Sequence, residues 1–371
     1  MQPTGVENGN GCIPGGDSLL SCVPMTPGYI NRPFSIPLPS SLSSFTMSGS
    51  ILITGGTAGI GFHCTVALAR QYPNHQITIA SRNDTQDAAG TINGITGQNN
   101  VQYMRLNLSS LSQVRLFVKE WTEANKPPIT HLLLNAGLQF PREVSYTDDG
   151  YEKTFAINHL GHALLFSLLI PHLDQTARII ATASGTHDPA QKTGMPDAKY
   201  TSAEELALPT GQALSNEGRQ RYSTSKLLNV LWMYALERRL ADLRSDPSQA
   251  RNWTVAAFDP GMVPGTGLVR DAGGFMQFLW LRVLPNVLPL LRMLVSPNIH
   301  SADESGQSLA WLTGDAQVAG KSGLYYEGRK EIKSSMVSYE EKKQEDLWEW
   351  TVKHVAEGPE EVALFGLKSL A

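Results

Sequence analysis

The chain has 371 residues, with 30 lysines and arginines against 34 aspartates and glutamates, which gives a formal net charge of -4. This length accommodates one large α/β domain with additions, and the near balance of charge argues against a nucleic-acid partner and favours a small ligand. The three cysteines, Cys12, Cys22 and Cys64, form neither a disulfide framework nor a metal-spaced pair. We therefore expect a cytoplasmic protein without a metal site.

Residues 1–46 differ in composition from the rest of the chain. Proline, glycine and serine account for 20 of them, and the segment has neither a helical nor a strand periodicity. It also lacks the features of a secretory signal or a transit peptide. We expect either a disordered tail or an extension of the gene model, with the functional polypeptide beginning at Met47. The sequence leaves both alternatives open.

From residue 47 onward, short apolar runs alternate with longer amphipathic stretches, which predict strands and helices respectively. The predicted strands are 50–54, 76–80, 101–106, 129–134, 178–183, 253–258 and 323–326, and the predicted helices are 59–72, 111–125, 150–173 and 222–243. This alternation is typical of an α/β fold with a doubly wound parallel sheet. In such a sheet, ligands bind beyond the carboxyl ends of the strands.

The first predicted strand is followed by a glycine-rich turn that opens a helix. Gly55, Gly59 and Gly61 let the turn tighten and let the backbone approach a pyrophosphate. The helix start beyond them offers free N–H groups and the positive end of the helix dipole. The turn therefore predicts a dinucleotide site, and an ordinary tight turn is the alternative.

The second predicted strand ends at Ser81, Arg82 and Asn83. An NAD-binding fold usually carries an acid near this point, where it binds the ribose 2′-hydroxyl. A hydroxyl beside a guanidinium instead suits a 2′-phosphate, because arginine presents several donors in a fixed fork. These residues predict NADP(H) as the cofactor, with a solvated surface arginine as the alternative.

Three motifs follow one another along the chain, Thr54-Gly-X-X-X-Gly-X-Gly61, Asn135-Ala-Gly137 and Tyr222-X-X-X-Lys226. Together they resemble the short-chain dehydrogenase/reductase family, over residues 50–326. The long segment before Tyr222 is similar, more weakly, to the retinol dehydrogenase and protochlorophyllide reductase branch. The resemblance implies a single Rossmann-fold domain, 47–330, with an insertion at 185–221 and a substrate lid at 262–300. A helical extension, 331–371, follows.

The resemblance also implies a catalytic group of four residues. Ser184 orients the substrate oxygen, and Asn158 holds a water of the proton relay. Tyr222 exchanges a proton with the substrate. Lys226 lies four residues later on the same helical face, where its charge is expected to lower the pKa of the phenol.

A larger set of residues is implied to bind the cofactor. Asn107 departs from the acid that the family usually places near the adenine amino group, although an amide can still accept that hydrogen bond. Val263 follows a Pro-Gly turn and is the expected backbone contact to the nicotinamide. The full set is Gly55, Thr57, Gly59, Ile60, Gly61, Ser81, Arg82, Asn107, Asn135, Ala136, Gly137, Tyr222, Lys226 and Val263.

The stretch 275–295 is strongly apolar, but Arg282, Arg292 and two prolines interrupt it, which argues against a membrane-spanning helix. We predict a flexible lid over the nicotinamide whose side chains, Phe278 and Trp280 among them, form a pocket for a hydrophobic substrate. The alternatives are completion of the core and peripheral contact with a membrane surface.

The leading hypothesis is an NADP(H)-dependent oxidoreductase that interconverts a carbonyl and an alcohol on a lipophilic small molecule by hydride transfer. One alternative is a double-bond reductase of the protochlorophyllide reductase type, and another is a non-catalytic NADP-sensing protein. Helix 222–243 has apolar residues on more than one face. In relatives the corresponding helix often pairs between subunits, so a homodimer and packing within the chain both remain open.

Overall fold

The computed structural model describes residues 47–140, 143–246, 251–267 and 273–367, and the predicted tail at 1–46 lies outside them. These residues include eight strands in one sheet, in the order β3-β2-β1-β4-β5-β6-β7-β8. Neighbouring strands run parallel, except that β8 is antiparallel to β7. The strands are β1 Gly49–Thr54, β2 His75–Ser81, β3 Val101–Arg105, β4 Ile129–Leu134, β5 Leu173–Thr182, β6 Thr254–Asp259, β7 Leu324–Glu327 and β8 Lys330–Ile332.

Helices cover both faces of this sheet. They are α1 Gly59–Gln71, α2 Ala88–Thr96, α3 Leu111–Glu123, α4 Lys153–Phe155, α5 Gly161–Leu169, α6 Ala203–Ala207, α7 Gly218–Ser245, α8 Gly274–Phe278, α9 Leu288–Leu294, α10 Ala302–Gly314, α11 Glu341–Val355 and α12 Gly358–Phe365. A π-helical turn, Ala156–Leu160, joins α4 to α5. The predicted doubly wound sheet is confirmed.

The sheet separates two hydrophobic cores, because successive side chains of a strand point to opposite faces. On β1, Leu52 packs with α3, α5, α7 and α11, while Ile51 and Ile53 pack with α1, α2 and α10. The strand order reverses between β1 and β4, so the loops after these two strands diverge to opposite sides. A crevice at the carboxyl edge of the sheet follows from this topology.

Several elements were not predicted, among them helix α10 and strand β8, and two further differences have a clear local cause. Helix α2 was missed because its glycines and threonines interrupt the apolar pattern, yet Asp87 caps it by accepting a hydrogen bond from the N–H of Gly90 at 3.1 Å. Strand β5 begins at Leu173, five residues before the predicted start, because its first residues are partly exposed and polar. The helix before it ends in a 3-10 turn that contains Pro171.

Two described stretches have the length and apolar character of a membrane-spanning segment. Lys153–His172 has a mean hydropathy of 1.3, and 89% of its apolar window is buried inside the protein. Its apolar character is therefore accounted for by packing in the core. The second is a pair, Gly274–Asn286 and Leu288–Leu294, whose axes differ by 94°.

The C-terminal helix α11 packs on the outer side of α7. The Trp348 ring stacks on Trp232, with the ring centroids 6.2 Å apart, and the Arg239 guanidinium lies 4.1 Å from the Trp348 centroid. Arg239 also forms an ion pair of 2.7 Å with Glu345. From the sequence, this face of α7 was a possible contact with a partner subunit. In the structure, α11 of the same chain covers it.

We expect Trp348→Ala to lower the free energy of unfolding by about 3–5 kcal/mol, because it removes a buried indole and leaves a cavity against α7. The matched control is Met336→Ala, since Met336 is 83% exposed and its truncation should change stability by less than about 0.5 kcal/mol. Urea unfolding followed by circular dichroism measures both. Equal stability of Trp348→Ala and the wild type would show that α11 does not stabilise the domain.

Candidate active site

A cavity of about 1380 Å³ lies at the carboxyl edge of the sheet. It is larger than the ~300–1,000 Å³ of a typical ligand pocket, as a dinucleotide with a substrate requires. Every residue predicted to bind the cofactor lines it, and so does Ser184. Among the predicted site residues Asn158 does not line it. The structure thus brings together residues from the ends of six strands.

The glycine-rich turn forms one wall of this cavity. Gly55 and Gly59 have φ values of +71° and +55°, a left-handed conformation that other residues adopt only with strain. At Gly61 a Cβ would lie 2.3 Å from the carbonyl oxygen of Gly55, so the turn closes only with glycine there. The N-cap residue Ala58 offers no side-chain hydrogen bond, which leaves the first N–H groups of α1 available to an anion.

The end of β2 carries a positive charge that is not balanced locally. Arg82 is exposed and forms no ion pair with any residue that the structure describes. Asp84, two residues after Arg82, accepts hydrogen bonds from the N–H of Ala88 at 2.8 and 3.0 Å and so is committed to the start of α2. The Ser81 hydroxyl accepts a hydrogen bond from Thr57 at 3.1 Å. This corner of the cavity favours an anionic ligand group.

Asn107 offers a ligand a different group from the one we expected. Its side-chain oxygen accepts hydrogen bonds from the N–H of Ser109 at 3.2 Å and the hydroxyl of Ser109 at 2.8 Å. The oxygen expected to accept from the adenine amino group is therefore already used. The amino group of the Asn107 side chain is the group left for a ligand.

The hydroxyl of Thr54 holds the end of β4 against the end of β1. It accepts hydrogen bonds from the N–H groups of Asn135 and Ala136, both at 2.9 Å. The Asn135 side chain donates in return to the carbonyl of Thr54 at 3.0 Å. His162 lies 2.9 Å from the Thr54 hydroxyl, and burial lowers its pKa to about 4, so the neutral ring can accept that proton.

Asn158 is fully buried in the π-helical turn behind the cavity wall. Its side-chain oxygen accepts from the N–H of Leu138 at 2.8 Å, and its amino group donates to the Leu138 carbonyl and the Ser225 hydroxyl, each at 2.9 Å. These hydrogen bonds occupy the side-chain amide of Asn158 and hold the backbone of Leu138 in the cavity wall. The predicted relay role of Asn158 stays a prediction.

Tyr222 and Lys226 both lie on α7 and line the cavity, with the lysine Nζ 5.6 Å from the centroid of the tyrosine ring. Burial lowers the pKa of Lys226 to about 8, and the charge of Asp259 opposes this shift. Burial also raises the pKa of Tyr222 above its usual value, and Asp259 adds to the increase. The expected lowering of the phenol pKa by Lys226 is therefore not found, because burial and the charge of Asp259 both raise this pKa. The ammonium donates to the carbonyl of Thr182 at 3.0 Å.

Ser184 follows β5 and caps the short 3-10 turn Gly185–His187. Its Oγ accepts from the N–H of Thr186 at 3.3 Å, while its carbonyl accepts from Nδ1 of His187 at 2.7 Å. Its hydroxyl proton is donated to no residue that the structure describes. Ser184 is therefore held in place through its backbone, with its O–H available to a ligand.

The sequence did not identify Asp259 as a site residue. It is the last residue of β6, is fully buried and lines the cavity. Its Oδ1 accepts from the N–H of Gly261 at 2.9 Å, and its Oδ2 accepts from the side chain of Asn298 at 3.0 Å. Asp259 could have been identified from its position at the end of a predicted strand. No pattern in the sequence near Asn298 indicates its contact with Asp259.

Residues 273–295, here called the apolar elbow, lie at the mouth of the cavity, and none of them is buried. Met276, Trp280 and Val295 line the cavity, but Phe278 is 58% exposed and does not. The prediction that Phe278 forms part of the pocket was wrong, because α8 directs it to the outside. Trp280 Nε1 donates to the carbonyl of Thr266 at 3.1 Å. The lid role of the segment stays a prediction.

Comparisons with known proteins agree with this geometry. A family model described as short chain dehydrogenase matches residues 50–202. The chain is 30% identical over 329 residues to a polyprenol dehydrogenase of Danio rerio, covering 86% of this chain and 89% of that protein. It is 28% identical over 330 residues to protochlorophyllide reductase A, chloroplastic, of Oryza sativa subsp. japonica, covering 83% and 80%.

A solved structure shows the same fold. It is a short-chain dehydrogenase/reductase mutant from Serratia marcescens, with a TM-score of 0.53 and 18% identity, covering 76% of this chain and 96% of that chain. Sequence relatives, the matching family model and the shared fold lead to one conclusion: the chain is a member of the short-chain dehydrogenase/reductase family.

Proposed function

We propose that the protein is an NADP(H)-dependent oxidoreductase that interconverts a carbonyl and an alcohol on a lipophilic small molecule. The observation that carries the proposal is that Ser184, Tyr222, Lys226 and the glycine-rich turn line one cavity. A protein that only senses the cofactor needs no proton donor beside it. Turnover of any carbonyl substrate with NADPH separates these two possibilities.

The cavity fits a dinucleotide on three observations. The glycine turn leaves room for a pyrophosphate, the start of α1 has uncapped N–H groups, and Arg82 lies at the end where a 2′-phosphate is expected. The backbone beside Val263 is proposed to meet the nicotinamide. When bound, NADPH supplies a hydride.

The proton is proposed to move through Tyr222. Its raised pKa keeps the phenol protonated at neutral pH, which is the form that donates a proton to a carbonyl oxygen. The O–H of Ser184 donates to the same oxygen and stabilises its developing negative charge. Lys226, held by the Thr182 carbonyl, keeps a positive charge near the phenol when Tyr222 has lost its proton.

The substrate end of the cavity favours an apolar molecule. Its walls include the partly buried or exposed apolar side chains of Met195, Met276, Trp280, Val295 and Ile332. The relative from Danio rerio is named for a polyprenol, which is a lipophilic alcohol. We infer that the lid segment, 262–300, contributes the apolar part of the substrate pocket.

A double-bond reductase is the second candidate, because a protochlorophyllide reductase is among the relatives. A cysteine near the substrate could serve as the proton donor of a double-bond reductase, but Cys64 is fully buried in α1 and does not line the cavity. The absence of Cys64 from the cavity favours the carbonyl reaction. Product analysis after incubation of an unsaturated ketone with NADPH decides, since a saturated ketone would indicate double-bond reduction and an alcohol would indicate carbonyl reduction.

We expect Tyr222→Phe to bind NADPH as the wild type does and to lose turnover by about 10²–10⁴-fold, the contribution of a positioned proton donor. Tyr151→Phe is the control, because that residue does not line the cavity. Fluorescence titration measures binding, and NADPH absorbance measures turnover across aldehydes, steroids, retinoids and polyketide-like ketones. Wild-type turnover in Tyr222→Phe would remove the tyrosine from the mechanism.

We expect Arg82→Ala to weaken NADPH binding by about 10–100-fold, the effect of losing charge-assisted hydrogen bonds, while NADH binding changes little. Arg105→Ala is the matched control: Arg105 ends the neighbouring strand β3 and is exposed, but does not line the cavity. Calorimetric titration of both cofactors measures the difference. Equal losses for NADPH and NADH would contradict the assignment of the 2′-phosphate to Arg82.

We further propose that this cytoplasmic protein touches a membrane surface through the apolar elbow. Phe275 is 80% exposed and Met293 is 74% exposed, although both are large apolar side chains. Residues 273–300 contain no acid, and the Arg282 guanidinium has no partner among the described residues. An exposed apolar surface with a free cation suits an anionic lipid surface.

The double variant Phe275→Ser, Met293→Ser should reduce binding to vesicles of phosphatidylcholine and phosphatidylserine by about tenfold or more, because it removes apolar area from the contact. Turnover of a water-soluble substrate should stay the same. Met336→Ser, exposed elsewhere on the surface, is the control and should bind as the wild type does. Co-sedimentation with vesicles measures binding, and unchanged binding of the double variant would exclude the elbow.

A further inference from the structure

Asp259 occupies a position where a buried carboxylate is costly unless it is well bonded. Each of its oxygens accepts one hydrogen bond, from the N–H of Gly261 on one side and from Asn298 on the other. Gly261 has a φ of +74° and lies directly after Pro260, in the turn that precedes the lid segment. Asn298 lies where this segment returns to the domain. One carboxylate therefore binds both ends of a segment of about 40 residues.

Backbone bonds complete the closure at the same place. The N–H of Met262 donates to the carbonyl of Asn298 at 2.9 Å, and the N–H of His300 donates to the carbonyl of Met262 at 3.0 Å. Ser305 at the start of α10 donates from its hydroxyl to the carbonyl of Pro260 at 2.8 Å. The backbone next to Val263 is held by this closure, so its position depends on groups bonded to Asp259.

The carboxylate also contributes charge to the catalytic end of the cavity. The titratable groups whose proton affinity it raises come from every element around it: Tyr222 and Lys226 of α7, His187 of the 3-10 turn, His300, and Tyr325 and Glu327 of β7. Lys226 carries the positive charge of this group at neutral pH. Asp259 is thus a buried acid that lines the same cavity as Tyr222 and Lys226.

We propose that Asp259 is a positioning residue with two actions: it clasps the two ends of the lid segment, and its negative charge, in the lining of the same cavity as Tyr222 and Lys226, disfavours the phenolate that alcohol oxidation requires. The second action rests on the function proposed above. A negative charge beside Tyr222 stabilises the protonated phenol, which reduction uses, and disfavours the phenolate, which oxidation requires. The first action depends on geometry alone and needs no activity.

The clasp is tested in the cofactor-free protein by hydrogen exchange at the amides of Gly261 and Met262. Asn298→Ala removes the bond to Oδ2 but keeps the charge of Asp259, and we expect it to speed exchange of both amides by about tenfold. Ser338→Ala, which changes a buried hydroxyl away from this closure, is the control. Exchange at the wild-type rate in Asn298→Ala would overturn the clasp, whether or not the protein is an NADPH-dependent enzyme.

The charge is tested by the pH dependence of alcohol oxidation with NADP⁺. Because Asp259 raises the pKa of Tyr222, Asp259→Asn should move the midpoint of the oxidation profile to lower pH, by on the order of one unit. Asn298→Ala keeps the carboxylate and should leave the midpoint unchanged while loosening the segment. If loosening of the segment alone changed the midpoint, Asp259→Asn and Asn298→Ala would both shift it. A shift in Asp259→Asn only would therefore be an effect of the charge.

Asp259→Ser provides a second neutral variant and replaces Asp259→Asn if that protein does not fold. A midpoint equal to that of the wild type in the folded neutral variant would overturn the charge effect. A midpoint that moves equally in Asn298→Ala would also overturn it, because the shift would then follow the loosened segment. Absence of any turnover in the wild type would instead refute the proposed function and leave the exchange experiment to decide the clasp.

Discussion

The hydroxyl of Thr54 is the contact on which the geometry of the cavity depends. Beyond residue 54 the ladder of backbone hydrogen bonds between β1 and β4 ends, and the two chains diverge. Thr54 extends the pairing by side-chain bonds to Asn135 and Ala136. Thr182 of β5 then donates to Asn135 at 3.3 Å, and the Thr182 carbonyl accepts from Lys226. A continuous chain of polar contacts therefore links the glycine-rich turn to α7.

Burying this series of polar contacts costs free energy, which the surrounding apolar core offsets. Polar groups in it are buried, and each would be destabilising if left without a partner. Burial of His162 keeps its ring neutral, so the ring contacts the Thr54 hydroxyl without adding a charge. The apolar elbow differs from this part of the cavity, because most of its large apolar side chains are exposed.

Local patterns in the sequence predicted much of this arrangement. The glycine spacing and the four-residue separation of Tyr222 and Lys226 depend on one turn and one helix, so neighbouring residues suffice to recognise them. The direction of the Tyr222 pKa shift was not accessible in the same way, because it depends on burial and on a charge from β6. The bond between Asp259 and Asn298 joins positions 39 residues apart and had no local signal. Helix α2 was missed because glycines and threonines interrupt its apolar pattern, although Ala88, Ala89 and Ile92 are buried in the second core.

The packing of α11 on α7 affects how the chain folds during its synthesis. The ribosome completes α7 about one hundred residues before α11 emerges, so the indole of Trp232 lacks its Trp348 partner during that interval. A nascent chain of this kind exposes a surface on which other chains can aggregate. The helix that closes the larger core is therefore translated well after the helix that it covers.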